Sequence, residues 1–286
     1  MPQKSVFDVV VVGSGPAGAT TARAAANGGL RVLLVDKKQE LGVPIQCSGA
    51  VSAHALAQAG IVPDPEFAPA PVFGFATYDA AGNMTTLDYR TLKPELHHNN
   101  APLGYVVDRR RFDRHLLKLA EQAGAQAWLK TAALGYTPHS NGAVSVQLNR
   151  MGRPVEVRAR VIVGADGVQS QVGKWAGLPT RIKLSDIASC FQLVVDRVET
   201  NGLLEIVTGH RWAPGGYAWI FPKGHGYAEV GLGIIRTMTG QDARHHLDDF
   251  CRNSFMAPRL RRRRIVEVQG GAFPWPRPSN GPSPTM

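Results

Sequence analysis

Cysteine is scarce. Cys47, Cys190 and Cys251 are the only three in 286 residues, an odd and widely spaced set. That excludes a disulfide framework and the common zinc and iron–sulfur patterns, and it points to a reducing compartment. No apolar run approaches the ~18 residues of a membrane-spanning helix. Met1 to Phe7 is too short and too polar for a signal peptide, so the expected location is the cytoplasm. Acidic residues are also few, 22 against 32 basic, for a formal charge of +10. Such a balance suits simple solubility, or a surface that meets anionic lipid or a phosphorylated substrate. The densest basic run is Arg259-Leu-Arg261-Arg262-Arg263-Arg264. It reads as a solvated helix end or as peripheral contact with an anionic membrane. It lacks the interleaved aromatics that would argue for nucleic acid. His97-His98 has no partner ligands at metal spacing, and no metal site is expected.

The stretch that organises the chain is Asp8-Val-Val-Val-Val-Gly13-Ser-Gly15-Pro16-Ala17-Gly18. Four valines in a row suit a strand buried on both faces. The glycines fall at G-x-G-x-x-G spacing, and Pro16 fits the first turn of a helix, where a missing N–H costs nothing. Ala-rich residues 17–27 supply that helix. Arg31 to Val35 give a second strand, closed by Asp36 and followed by Lys37. The first glycine permits a tight turn, the second lets a pyrophosphate approach the backbone, and the third lets helix and strand pack closely. Helix N–H groups face the phosphates, and Asp36 stands where a carboxylate accepts from ribose hydroxyls. This unit alone does not separate FAD from NAD.

Further along, Pro44 to Ser52 form a loop in which Cys47, Ser48 and Gly49 stand together, before a helix from Ala53 to Ala59 capped by Ser52. Four prolines between 63 and 71 mark an extended connector. Residues 72–78 and 84–89 read as a hairpin. Arg109 sits where a short strand becomes a helix with Phe112, Leu116, Leu119 and Ala123 on one face. Several strands fill 126–163. The last runs into Asp166-Gly167, a carboxylate and a flexible backbone at the edge where open α/β sheets collect ligands. From Ile187 the strands lengthen and look antiparallel. In Tyr217-Ala-Trp219-Ile-Phe221-Pro222-Lys223 the three aromatics point to one face. By itself that stripe reads as ordinary sheet core. Gln241 to Phe255 reads as a helix, and the Pro-rich segment 273–286 as a disordered tail.

With these residues in hand, the chain resembles the geranylgeranyl reductase family of FAD-dependent oxidoreductases, within the p-hydroxybenzoate-hydroxylase-like flavoproteins. Gly13, Gly15, Gly18 and Asp36, then Arg109, then Asp166-Gly167 match three motifs of the wider group. Pro44 to Cys47 matches the family's P-x-x-C loop beside the flavin. Tyr217, Trp219, Phe221 and Pro222, then eight residues, then Gly231 and Gly233, match its Y-x-W-x-F-P…G-x-G element, which shapes the prenyl pocket. The family's later Gly-Asp motif is missing, and no Gly-Asp dipeptide occurs in the sequence. The expectation is a chain shortened at its C-terminus.

The resemblance implies an α/β fold: a Rossmann-like, three-layer ββα FAD domain (1–70 and 101–180) with an antiparallel β-sheet substrate domain (71–100 and 181–272). It implies FAD held by Gly13, Gly15, Pro16, Ala17, Gly18, Asp36, Lys37, Cys47, Ser48, Gly49, Arg109, Asp166 and Gly167. NAD(P)H or ferredoxin would supply electrons. Cys47 would be the residue at the reacting bond. Tyr217, Trp219, Phe221, Pro222, Gly231 and Gly233 would line an isoprenoid chain, with Lys223 at a phosphate or headgroup. Two other readings stay open: a flavin monooxygenase of an aromatic or quinone, and an inactive FAD-binding remnant.

Overall fold

The computed structural model describes residues 6–92 and 101–275. His97-His98 and the tail beyond Trp275 lie outside the described residues. Contacts divide the chain into two packing units, Met1–Val43 with Arg109–Arg181, and Pro44–Asp108 with Ile182–Met286. Residues 44–70 and 101–108, expected to serve the cofactor, thus pack with the large sheet.

The first unit has three layers. Its centre is a parallel sheet in the order Val161–Gly164, Val9–Val12, Val32–Val35, Gln126–Trp128. The period-2 alternation of strands splits the side chains between two cores. Val9, Val11, Val32 and Leu34 pack with Ala22, Ala26 and Ala120 of the helices Pro16–Asn27 and Arg109–Gln122. Val10, Val12, Leu33 and Val35 meet the antiparallel sheet Thr131–Pro138, Val144–Arg150, Arg153–Ala159 through Val146, Leu148 and Val157. This is the expected ββα arrangement.

The second unit is built on a seven-stranded sheet. Its order is Arg264–Pro274, Ile187–Asp196, Tyr227–Ile235, Tyr217–Gly224, Leu203–Thr208, Gly74–Tyr78, Met84–Asp88. The expected hairpin of residues 72–89 therefore extends the large sheet. One face buries Val195, Val207, Ala218, Ile220, Val230 and Ile234 under the helix Ala243–Asn253, whose Leu247, Phe250 and Cys251 are almost wholly enclosed. Asp242 caps that helix, accepting from the His245 N–H at 2.8 Å. The other face carries the aromatic row. It packs against Ala70, Val72 and Val106, from the small sheet Ala50–Ser52, Gly104–Val106, Ala70–Val72.

Two expectations need correction. The strand Arg264–Pro274 was not legible from sequence, and its last residues, with the Trp275 N–H donating to Asp186 O at 2.6 Å, replace the start of the expected tail. The basic run is no single helix end. Arg259 makes a bidentate pair with buried Glu205 at 2.6 and 2.7 Å, so its charge is spent inside the unit.

Phe250 is fully enclosed under the sheet. Phe250→Ala should cost ~3–5 kcal/mol, read as a lower urea midpoint for the second unit.

Candidate functional site

At the Gly13–Gly18 turn, each glycine answers a different spatial demand. A Cβ on Gly13, whose φ is +100°, would lie 2.3 Å from Ala165 O. One on Gly18 would lie 1.8 Å from Gly13 O. These two positions are closed by backbone. At Gly15 the space where a Cβ would sit is open, with nothing within 4 Å. Pro16 opens the helix with Gly15 as its N-cap. The helix start therefore presents uncommitted N–H groups to that open space.

A cavity of about 310 Å³ lies beside this turn, lined by Gly13, Gly15, Asp36, Lys37, Asp166 and Gly167 among others. Six expected cofactor residues thus meet at one sheet edge. Lys38, Thr131, Gln171 and Trp175 join them, unannounced by any motif. Asp36 Oδ2 accepts from the Ser14 N–H at 2.8 Å and the Ser14 hydroxyl at 2.7 Å, and Oδ1 from the Lys38 N–H at 2.8 Å. A carboxylate has about four acceptor sites, so room remains for a hydroxyl donor. Asp166 accepts from the Ser170 hydroxyl at 2.6 Å and from the N–H groups of Gln171 and Val172 at 2.6 and 3.1 Å. Burial would raise its pKa, but these donors outweigh burial and the net shift is downward. Arg109 is engaged by Asp113 at 2.9 and 3.0 Å, an i,i+4 pair on its own helix.

Cys47, Ser48 and Gly49 belong to the second unit. Ile45 anchors their loop as a buried side chain, while Cys47 is exposed. The Gly49 N–H donates to Cys47 Sγ at 3.4 Å. Gly49, at φ +86°, lies so close to Val107 that a Cβ would meet its carbonyl at 2.4 Å.

In the same unit Tyr217, Trp219 and Phe221 line one face as tilted neighbours, with ring centroids 5.7 and 6.1 Å apart. Trp275 extends the row 6.3 Å from Tyr217. Across the ladder, Gly233 opposes Tyr217, Gly231 opposes Trp219 and Glu229 opposes Phe221. Gly231 is needed because Trp219 lies over it: a Cβ would meet the indole at 2.5 Å and Gln192 Cβ at 2.7 Å. Gly233 makes room for Cys190 Sγ, 3.0 Å from its would-be Cβ. Pro222 alternates to the opposite face, across from Ala228.

Burial, and then the Cys47 thiol, push Cys190 up to about 12. Burial, then Cys190 and Cys47, raise the Tyr217 phenol. Both groups therefore stay protonated at neutral pH. Sequence reasoning assigned no role to Cys190, Gln192 or Glu229, though strict alternation puts them on the aromatic face. Lys223 was expected at an anionic headgroup. Instead its ammonium turns inward, donating to Ser48 O at 3.1 Å and lying 3.5 Å from buried Glu229.

Residues 6–210 match the family described as FAD binding domain, and residues 186–273 match the geranylgeranyl reductase catalytic domain. The digeranylgeranylglycerophospholipid reductase of Methanosarcina acetivorans is 36% identical over 272 residues, 95% of this chain and 64% of that protein. The protein of the same name from Methanothrix thermoacetophila is 38% identical over 268 residues, 93% of this chain and 66% of that one. A geranylgeranyl bacteriochlorophyll reductase-like structure from Thermoplasma acidophilum superposes with a TM-score of 0.85 at 33% identity, covering 94% of this chain and 66% of that one. A flavin-dependent brominase at 18% identity and TM-score 0.73 shares the fold alone. The chain belongs to the FAD-binding domain family of flavoproteins. Within that class, residues 186–273 carry the match to the geranylgeranyl reductase catalytic domain, and the chain spans 64–66% of the length of these relatives.

FAD fits the first unit. The open space at Gly15, between two positions sealed against side chains, leaves room for phosphate oxygens at a helix N-terminus.

Two outcomes are expected. Gly18→Val should abolish flavin binding by forcing the helix off Gly13, read by flavin absorbance of the purified variant. Asp166 is held below its ordinary value, so its contribution to stability is present above pH 3.8 and is lost as pH falls through its lowered pKa. The unfolding free-energy gap between wild type and Asp166→Ala should therefore close in acid.

Proposed function

We propose that the chain is an FAD-dependent reductase of carbon–carbon double bonds in a geranylgeranyl-type isoprenoid lipid. The observation that carries this reading is the row Tyr217–Trp219–Phe221 on the sheet face opposite the helix-covered core, with Gly231 and Gly233 beside it. The names of the relatives above support the substrate class.

In this reading Gly13, Gly15, Pro16, Ala17, Gly18, Asp36, Lys37, Asp166 and Gly167 bind FAD, and Arg109 sets the helix start beside them. Reduced FAD, when bound, is the source of the hydride. An isolated trisubstituted alkene is a poor hydride acceptor, so holding it in place is the protein's main contribution. The aromatic row orients the prenyl chain and excludes water. Cys47 positions or protonates the second alkene carbon. Electrons come from a nicotinamide or a ferredoxin-type donor. The excess of 10 positive charges suits an anionic lipid headgroup. Among the described residues no helix is long and apolar enough to cross a membrane.

The test is anaerobic: dithionite-reduced protein mixed with a geranylgeranyl glycerophospholipid in detergent, products read by mass. Gains of two mass units per double bond are expected. An unchanged lipid beside a protein that retains reducible flavin would overturn the substrate assignment. Gly231→Ala should displace the Trp219 indole and raise the lipid KM about tenfold, the scale of an overpacked core position, with flavin content unchanged.

A further inference from the structure

Glu229 is fully buried, yet neither carboxyl oxygen has a hydrogen-bond partner within normal reach. The strand register fixes its place, across from Phe221 and diagonal to Lys223. Lys223 Nζ lies 3.5 Å from Glu229 Oε2, 3.1 Å from Ser48 O and 3.5 Å from Val107 O. Its side chain is only 15% exposed. An ammonium has three donors and no acceptor, and here three protein oxygens surround it.

Each partner makes the other tolerable. A buried carboxylate without a cation is strongly destabilising, and so is a buried ammonium without an anion. Burial pushes the Glu229 carboxyl above its ordinary range. Lys223 and the Trp219 indole N–H draw it part of the way back, and Glu267 on the edge strand Arg264–Pro274, one strand further along, adds to the rise. Two of the three oxygens around Lys223 are main-chain carbonyls, one in the Cys47 loop and one on the segment that loop packs against. The loop has no ladder of its own to satisfy such groups. A further hydrogen bond to it is the Val107 N–H donating to Gly49 O at 2.9 Å.

We propose that Lys223 and Glu229 form a buried clamp that fixes the Cys47-bearing loop, Lys223 by holding the Ser48 and Val107 carbonyls and Glu229 by holding Lys223. Both are positioning residues, and their importance for catalysis rests on the reading of Cys47 given above. The clamp also explains why a charged pair sits buried beside the aromatic row. An apolar pair of similar volume would pack there but would leave the Ser48 carbonyl without its donor.

Amide hydrogen exchange on the full chain tests the clamp without depending on turnover. The reporters are the Gly49 and Val107 amides, and the Leu247 amide under the opposite face is the internal reference. Lys223→Met should speed exchange at both reporters about tenfold or more, the scale of one lost charge-assisted hydrogen bond, with Leu247 unchanged. Lys223→Arg keeps a cation with donors and should restore most of the protection. Glu229→Gln should loosen the same two amides, and the Lys223→Met, Glu229→Gln double variant should be no looser than Lys223→Met alone. Unchanged reporter exchange in a folded Lys223→Met variant would overturn the proposal, as would additive effects of the two substitutions. Should Lys223→Met loosen Leu247 equally, the near-isosteric Glu229→Gln decides, and reporters like wild type there refute the clamp. The reading of Cys47 fails separately: Cys47→Ala with full loop protection and undiminished reduction of the lipid would remove that reading and leave the clamp standing.

Discussion

A strand turns its side chains to alternate faces, and the seven-stranded sheet of the second unit has to find partners for both. One face meets a helix and is largely aliphatic: Val195, Val207, Ile220, Val230 and Ile234 against Leu247 and Phe250, with Glu205 paired to Arg259 on the same side. That face is sealed and has one task, stability. The other inherits every residue of opposite parity, and it is chemically mixed. It carries Tyr217, Trp219, Phe221 and Lys223 on one strand, Glu229, Gly231 and Gly233 on the next, and Cys190 and Gln192 beyond them. A one-residue slip in register would exchange the two sets and destroy both faces together. The aromatic face of the second unit therefore depends on the same register that builds its core.

The glycines follow a similar division of labour in the first unit. Gly13 and Gly18 are sites of backbone contact, where a side chain has no space. Gly15 is a site of open approach. The fingerprint is thus two positions closed by backbone flanking one that is open. Asp36 and Asp166 do double duty beside it. Each is tied to neighbouring N–H and hydroxyl groups, so its carboxylate is held rigidly at the cavity wall. Pre-oriented groups of this kind bind without the entropy cost of ordering them at the moment of capture.

Much of this was legible in the residues. The valine run, the glycine spacing and the closing Asp36 announced the parallel sheet and its turn, because buried parallel strands are continuous apolar runs. The helix at Ala243–Asn253 kept a plain helical period. Other elements escaped for physical reasons. The strand Arg264–Pro274 begins in a basic run and contains Gly270-Gly271, and its exposed Ile265, Val266 and Val268 break the in–out alternation. The three short strands around Gly104–Val106 are three residues each, too brief to show a period. Lys223 was assigned to a phosphate or headgroup from its charge, whereas its ammonium faces Ser48 O and Glu229. Its parity with Tyr217, Trp219 and Phe221 was visible, but its partner Glu229 depends on register, which one sequence does not state. Arg259 pairs with Glu205 across 54 positions of chain, beyond any local pattern.

The central claim is that the first unit of this chain holds FAD. The direct measurement is the visible spectrum of the purified chain after incubation with FAD and gel filtration. The account predicts flavin absorbance co-eluting with protein near one equivalent, and its loss in Gly18→Val. A wild-type chain that elutes folded and colourless would contradict it.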